Sequence, residues 1–334
     1  MAKDWPTASG SSNCRRRRVV IPAAQPRFKG KTAFQVDSVS GLSNNQGMTI
    51  ITDPRCVDYR SVGHPEKPTR IIRTSELLKR QKSLELAWAE PAPVTDSILL
   101  RAHPQSHLDR LLVQEDFDAD TAWHPGIDQH ARRGVGGAIK AVELARTGDF
   151  PFSLLRPPGH HATRHRSMGF CYLSSMAIAT LHALATGSRR VAVLDFDVHH
   201  GNGTEDILQG NPAATFCSIH QYPCYPGTGD ADVGGNCFNF PVAPRTPREE
   251  YRVVISKAFD RIKAAKPDLV GVSAGFDAYA RDPLAQETLE REDFLWIGSE
   301  LRKLGVPVFS ILEGGYSADL PDLVLSYLLG LAGK

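Results

Sequence analysis

From residue 48 onward, short runs of β-branched and apolar residues alternate with stretches patterned like amphipathic helices. Val191 to Phe196 (VAVLDF), Thr215 to His220 (TFCSIH), Leu269 to Ala274 (LVGVSA) and Val306 to Leu312 (VPVFSIL) read as strands buried on both faces. Around them, residues 134–146, 174–184, 248–265, 290–304 and 320–331 carry helical apolar spacing. Met48 opens a further strand-like segment, MTIITDP. Strands alternating with helices predict an α/β fold with three layers, a mostly parallel sheet between two sets of helices. In such sheets ligands bind beyond the carboxyl ends of the strands. Chemistry is therefore to be sought just after Phe196, His220, Ala274 and Leu312.

At 334 residues and 41% hydrophobic, the chain can bury one large core or two ordinary ones. A formal charge of +2 gives no nucleic-acid footprint, so no direct nucleic-acid binding is expected, and no apolar run is long enough to cross a bilayer. The six cysteines form no CxxC pair, which fits reduced thiols and a cytoplasmic location. Residues 1–47 stand apart, with a Ser/Gly stretch and the basic run Arg15 to Arg18. They are expected to be a disordered extension. An organellar targeting arm and a true start at Met48 are the alternatives, and residues 48–334 are taken as one domain.

The densest polar motif is Asp195-Phe196-Asp197-Val198-His199-His200-Gly201-Asn202-Gly203. Asp195, Asp197 and His199 stand at i, i+2 and i+4 as a buried strand runs out, so in an extended chain they point the same way. Carboxylates and imidazole together suit Zn²⁺, and burying two carboxylates without a cation is costly. Asp277 follows the strand LVGVSA and is the candidate for a further ligand from a second strand end. His160 and His161 follow a Pro-Pro-Gly bend. One could accept a proton from a water molecule while the other stays cationic. Tyr316, after Glu313-Gly314-Gly315, could donate a hydrogen bond to a carbonyl oxygen that gains negative charge. No GxSxG turn and no phosphate-cradling glycine loop follows a strand.

Taken together, RPPGHHA (156–162), DFDVHHGNG (195–203), YPGTGD (225–230), AGFDAYARDPL (274–284) and EGGY (313–316), with HPEKPTR at 64–70, resemble the histone deacetylase family, its class II branch in particular. The resemblance runs from about Met48 to the last residue and implies an arginase-like three-layer fold around an eight-stranded parallel sheet. It implies zinc held by Asp197, His199 and Asp277, with Fe²⁺ or Co²⁺ as alternatives for so oxygen-rich a set. His161 matches the general base and acid, His160 its electrostatic neighbour and Tyr316 the carbonyl-polarising phenol. Asp195 matches the residue that orients His160 and shares a structural K⁺ site, to which Ser218 and Ile219 add oxygens.

Gly169, Phe170 and Tyr225 match the walls of a substrate tunnel, Leu284 an apolar rim residue and Asp120 the rim acid that holds the substrate backbone. Asn202 and Glu313 stand where class I members carry aspartate and glycine. The implied activity is removal of acetyl, or another acyl group, from the ε-amine of lysine in proteins or peptides. Acetylpolyamines and other small amides are the alternative substrates, and a non-catalytic acyl-lysine-binding module is the alternative role. No membrane partner is implied, and an oligomer is compatible with the resemblance.

Overall fold

Along β4 (Val191–Asp195), Val191 and Val193 pack into one apolar cluster while Ala192 and Leu194 pack into another. A strand buried on both sides has to lie inside a sheet that is covered on both sides. The computed structural model describes residues 47–334, so the expected extension and Cys14 lie outside the described residues, apart from Gly47. In chain order the strands are β1 (Thr49–Ile51), β2 (Ala87–Ala89), β3 (Phe152–Ser153), β4, β5 (Ala214–Gln221), β6 (Cys237–Val242), β7 (Leu269–Ala274) and β8 (Val308–Leu312). They form one sheet in the order β2-β1-β3-β8-β7-β4-β5-β6, with every pairing parallel. The last strand in the chain therefore lies between β3 and β7, near the middle of the sheet.

The helices are α1 (Thr69–Arg80), α2 (Asp96–Leu99), α3 (Gln105–Arg110), α4 (Ile127–Ala145), α5 (Ser175–Ala185), α6 (Asn202–Leu208), α7 (Arg248–Ala265), α8 (Arg291–Lys303) and α9 (Leu320–Ala332). Residues of α1, α7, α8 and α9 join one cluster, through Ile71, Phe259, Phe294 and Leu323. Residues of α4 and α5 join the other, through Val135, Ile139, Met176 and Ile178. This is the expected three-layer α/β/α arrangement. No helix among the described residues is long and apolar enough to cross a membrane. Five cysteines, Cys56, Cys171, Cys217, Cys224 and Cys237, carry free thiols.

The bounds of α7 coincide with the helical pattern at 248–265, and β7 with LVGVSA. Three strands escape sequence reading. β2 and β3 are three and two residues long, too short to show a period. β6 contains Pro241, which cannot donate to a ladder and is tolerated because β6 lies at the edge of the sheet.

Register brings polar residues into one row where the central strands end. Asp195 on β4 lies beside Ser218 on β5 and Ser273 on β7.

Candidate metal centre and active site

Two loops that carry acids are anchored by the aromatic residue within each motif. Phe196 sits between Asp195 and Asp197, and Phe276 precedes Asp277. Their buried rings meet edge to face at 5.7 Å and pack with Phe294 and Tyr327. The backbone of neighbouring loops then closes onto the carboxylates. A Cβ at Gly275 would overlap the Asp197 carboxylate, and one at Gly314 would overlap those of both Asp277 and Asp197. Glycine is required at both positions by close approach. Gly314 N–H donates to Asp197 Oδ2 at 2.7 Å and Val198 N–H to Asp277 Oδ1 at 2.9 Å.

The structure brings Asp197, His199 and Asp277 together, with one ligand atom from each within 4.8 Å of the others and all three buried. His199 Nδ1 is 3.2 Å from Asp197 Oδ1 and 3.1 Å from Asp277 Oδ2. A tetrahedral zinc with bonds of about 2.0 Å has ligand–ligand edges of about 3.3 Å, so this donor set has the chemistry and spacing to hold the ion. Asp195, level with them in sequence, faces elsewhere. β4 ends there and the chain bends. Asp195 Oδ1 accepts Asp197 N–H at 3.1 Å, and Oδ2 lies 3.1 Å from His160 Nδ1. Ser218 Oγ pairs with His220 Nδ1 at 2.9 Å, and Ile219 is buried in the core.

The His160 and His161 rings lie with centroids 3.9 Å apart and planes tilted by 42°, but their surroundings differ. His160 lies between two acids, Asp195 and Asp197, the latter 3.7 Å from its Nε2. Burial alone would favour its neutral form, yet the two carboxylates outweigh that and raise it to about 10. A cation among the carboxylates would compete with this proton for the same negative charge. His161 is pushed well below the usual histidine range, by burial first and then by the charges of His160 and His199. The His199 share vanishes once that ring binds a metal instead of a proton. His161 Nδ1–H donates to Asn202 Oδ1 at 2.8 Å, which leaves Nε2 as the unprotonated nitrogen.

Glu313 holds this pair from below. One of its oxygens accepts the N–H groups of Gly159 at 2.7 Å and His160 at 3.2 Å, and the other accepts Ser273 Oγ–H at 3.2 Å. Burial lifts its carboxyl to about 7, against the pull of His160.

A cavity of about 390 Å³ opens above these groups. His161, His199 and Tyr316 line it deep down. Gly169, Phe170 and Tyr225 form its walls, and His64, Pro65, Asp120 and Leu284 lie towards the mouth. Tyr225 meets the His161 ring at 5.1 Å and Phe170 meets the Tyr316 ring at 5.9 Å, both edge to face. Phe170 takes a positive φ of 69°, uncommon for a bulky residue, and its N–H is held by Thr121 Oγ1 at 3.1 Å. The backbone carbonyl of Asp120 accepts from His64 Nε2–H at 3.2 Å. Asp195, His160, Asn202, Ser218 and Ile219 do not line the cavity and lie behind or beside it.

Sequence reading missed the buried charges that hold the site together. The guanidinium of Arg156, fully buried, grips Glu66 through two parallel hydrogen bonds and donates to the carbonyls of Cys56 and Tyr59 at 3.1 and 3.2 Å. Glu66 also pairs with Arg70 Nη1 at 3.3 Å, and Arg70 Nε donates to Gly315 O at 2.7 Å. The signal was present: Glu66 and Arg70 stand at i and i+4 within HPEKPTR, and Arg156 directly precedes the Pro-Pro-Gly bend.

Comparison with known proteins adds four findings. A family model described as the histone deacetylase domain matches residues 64–330. A probable deacetylase of Methanothermobacter thermautotrophicus is 37% identical over 305 residues, covering 86% of this chain and 91% of that protein. Acetylpolyamine amidohydrolase 1 of Pseudomonas aeruginosa is 37% identical over 213 residues, 61% of this chain and 62% of its own length. Among solved structures, the HDA15 HD domain superposes with a TM-score of 0.81 at 28% identity, covering 86% of this chain and 90% of that one.

Proposed function

The chain belongs to the histone deacetylase family, and from that membership we propose that residues 48–334 are a zinc-dependent hydrolase removing acetyl or another short acyl group from the ε-amine of lysine in peptides or proteins. The observation that carries the reading is the cluster of Asp197, His199 and Asp277 at the base of a cavity walled by Phe170 and Tyr225. Aromatic walls suit a long aliphatic stem, and His161, His199 and Tyr316 supply polar groups at the bottom.

When bound by these three residues, zinc supplies Lewis-acid polarisation of a carbonyl and makes a nearby water more acidic. His161, neutral and with Nε2 unprotonated, takes the proton of the attacking water and returns it to the leaving amine. His160, paired with Asp195 at 3.1 Å, when cationic discourages a second proton on the ring 3.9 Å away. Tyr316 donates a hydrogen bond to the carbonyl oxygen as it becomes negative. Burial raises that phenol well above its usual range, so it serves as a donor rather than a phenolate. The products are a carboxylic acid and a free amine.

A second reading, hydrolysis of acetylpolyamines, is favoured by the similarity to acetylpolyamine amidohydrolase 1. Leu284 speaks for the first reading, since its apolar side chain offers a polycation no charge, which leaves Asp120 as the one carboxylate among the residues that line the cavity. The test is turnover of an acetyl-lysine peptide and an acetylpolyamine by one purified sample whose zinc content is measured. A kcat/KM at least about tenfold higher on the peptide supports the first reading, and the opposite ratio selects the second. Inactivity towards both in a folded, zinc-loaded sample removes hydrolysis altogether.

A further inference from the structure

One peptide unit, joining Gly315 to Tyr316, is gripped at both ends. Its carbonyl accepts a hydrogen bond from Arg70 Nε at 2.7 Å, and its N–H donates to Asp282 Oδ2 at 2.7 Å. The next N–H, of Ser317, donates to the same carboxylate oxygen at 3.1 Å. The other oxygen of Asp282 accepts Leu284 N–H at 3.0 Å. Asp282 is 7% exposed and does not line the cavity, whereas Tyr316 and Leu284 both do.

The local backbone cannot aim Tyr316 by itself. Two glycines precede it, and Gly315 has a φ of +112°, a region closed to residues with a side chain. A chain this permissive reaches one orientation only if outside groups select it. Arg70 selects the carbonyl direction, and Asp282 selects the N–H direction.

Resting on the role given above to Tyr316, we infer that Asp282 is a positioning residue whose buried carboxylate fixes the Gly315–Tyr316 peptide, aims the Tyr316 phenol and ties Leu284 to the same anchor. Both of its oxygens have to accept. All three of its partners are N–H donors, so a side chain with its own N–H groups cannot satisfy both the Leu284 side and the Tyr316 side. An Asn at this place turns one end of the clamp from attraction to a clash of donors.

The experiment uses the full chain loaded with zinc and an acetyl-lysine peptide, comparing wild type, Asp282→Asn, Tyr316→Phe and the double variant. Asp282→Asn is expected to lower kcat by about tenfold or more, with KM within about twofold and zinc content unchanged. In the Tyr316→Phe background the same change is expected to lower kcat by less than about twofold, because the phenol it aims is already gone. A kcat unmoved by Asp282→Asn, or losses that multiply in the double variant, would overturn the inference. Should Asp282→Asn not fold, Asp282→Glu keeps the charge and shifts the acceptors by one methylene. A several-fold loss of kcat is then expected, and wild-type kcat counts against the role. Full turnover by Tyr316→Phe would instead sink the functional reading of Tyr316, an outcome distinct from an inert Asp282.

Discussion

Behind the floor of the cavity Asp195, Asp197, Asp277 and Glu313 are 0% exposed, whereas on its wall and at its mouth Tyr225 and Leu284 keep 39% and 36% exposure. The floor is built from the ends of β4, β7 and β8, with backbone N–H groups and glycines pressed against the acids. The mouth is built from loops that share few groups with the floor. Buried charge is tolerable only when its geometry is fixed, since several kcal/mol of desolvation per ion must be offset by its partners. The floor therefore admits one arrangement and one chemistry. The mouth carries no such penalty, so its residues can change and tune which amide enters.

That contrast predicts a ranking of effects. His161→Ala should lower kcat by about 10³-fold or more with zinc still bound, since it removes the proton carrier at the floor. Metal analysis alongside steady-state kinetics checks this, and an active variant would break the comparison at its strongest point. Tyr316→Phe should cost about 10²- to 10³-fold in kcat at unchanged zinc content. Equal loss of zinc and activity would mean that the ring supports the floor instead of acting on the substrate.

Glu66→Gln should destabilise the fold by about 3–5 kcal/mol in denaturant unfolding, because it leaves the guanidiniums of Arg156 and Arg70 buried without their shared carboxylate. A cost under about 1 kcal/mol would place this network with the tolerant mouth.

Acid should loosen the supports of the walls. His103 Nε2 accepts Ser174 N–H at 3.0 Å, and His220 Nε2–H donates to Gly229 O at 2.9 Å. Burial holds both at about 3, so both are neutral in the folded protein. Because the folded values lie below the unfolded one, near 6.5, the unfolded chain binds protons first as pH falls. Their contribution to stability should therefore shrink from about pH 6.5 towards pH 3, by about 2 kcal/mol per histidine at pH 5, while Glu313, raised to about 7, acts in the opposite sense. Denaturation of wild type and His220→Gln at pH 7 and pH 5 isolates one histidine, and a difference between the two proteins that does not shrink at pH 5 would refute it.

The smallest change is expected at the rim. Leu284→Ala should alter kcat/KM by only about threefold, with a different sign for peptides and small amides. A loss rivalling that of His161→Ala would erase the distinction between floor and mouth.

What could be read from the chain divides along the same line. β7 and β4 are legible because fully buried strands are written in β-branched residues, and Asp197 and His199 because a polar motif interrupts such a run at its end. Spacing alone does not choose between Asp195 and Asp197; the resemblance of the whole motif does. The choice depends on the bend after Asp195, which turns one carboxylate to His160 and the other towards His199. The Glu66–Arg70 pair could be read from its i, i+4 spacing, but its link to Arg156 could not, because that partner lies 90 residues away and no local pattern encodes the distance. Asp282 carries no signal of its role in the sequence for the same reason. Two of its three N–H partners are visible only when residues 316 and 317 fold back beside it.

The place of β8 has a consequence for how the molecule comes into being. Until that strand arrives, β2, β1 and β3 have no hydrogen-bonded connection to β7, β4, β5 and β6. A ribosome delivers chain from the amino end at about 5–20 residues per second, so the two halves must wait, each with an open edge, for the stitch that joins them. The same stitch ends in Glu313 and Tyr316, so the nascent protein can neither seal its sheet nor acquire its reactive centre before synthesis has passed the final strand.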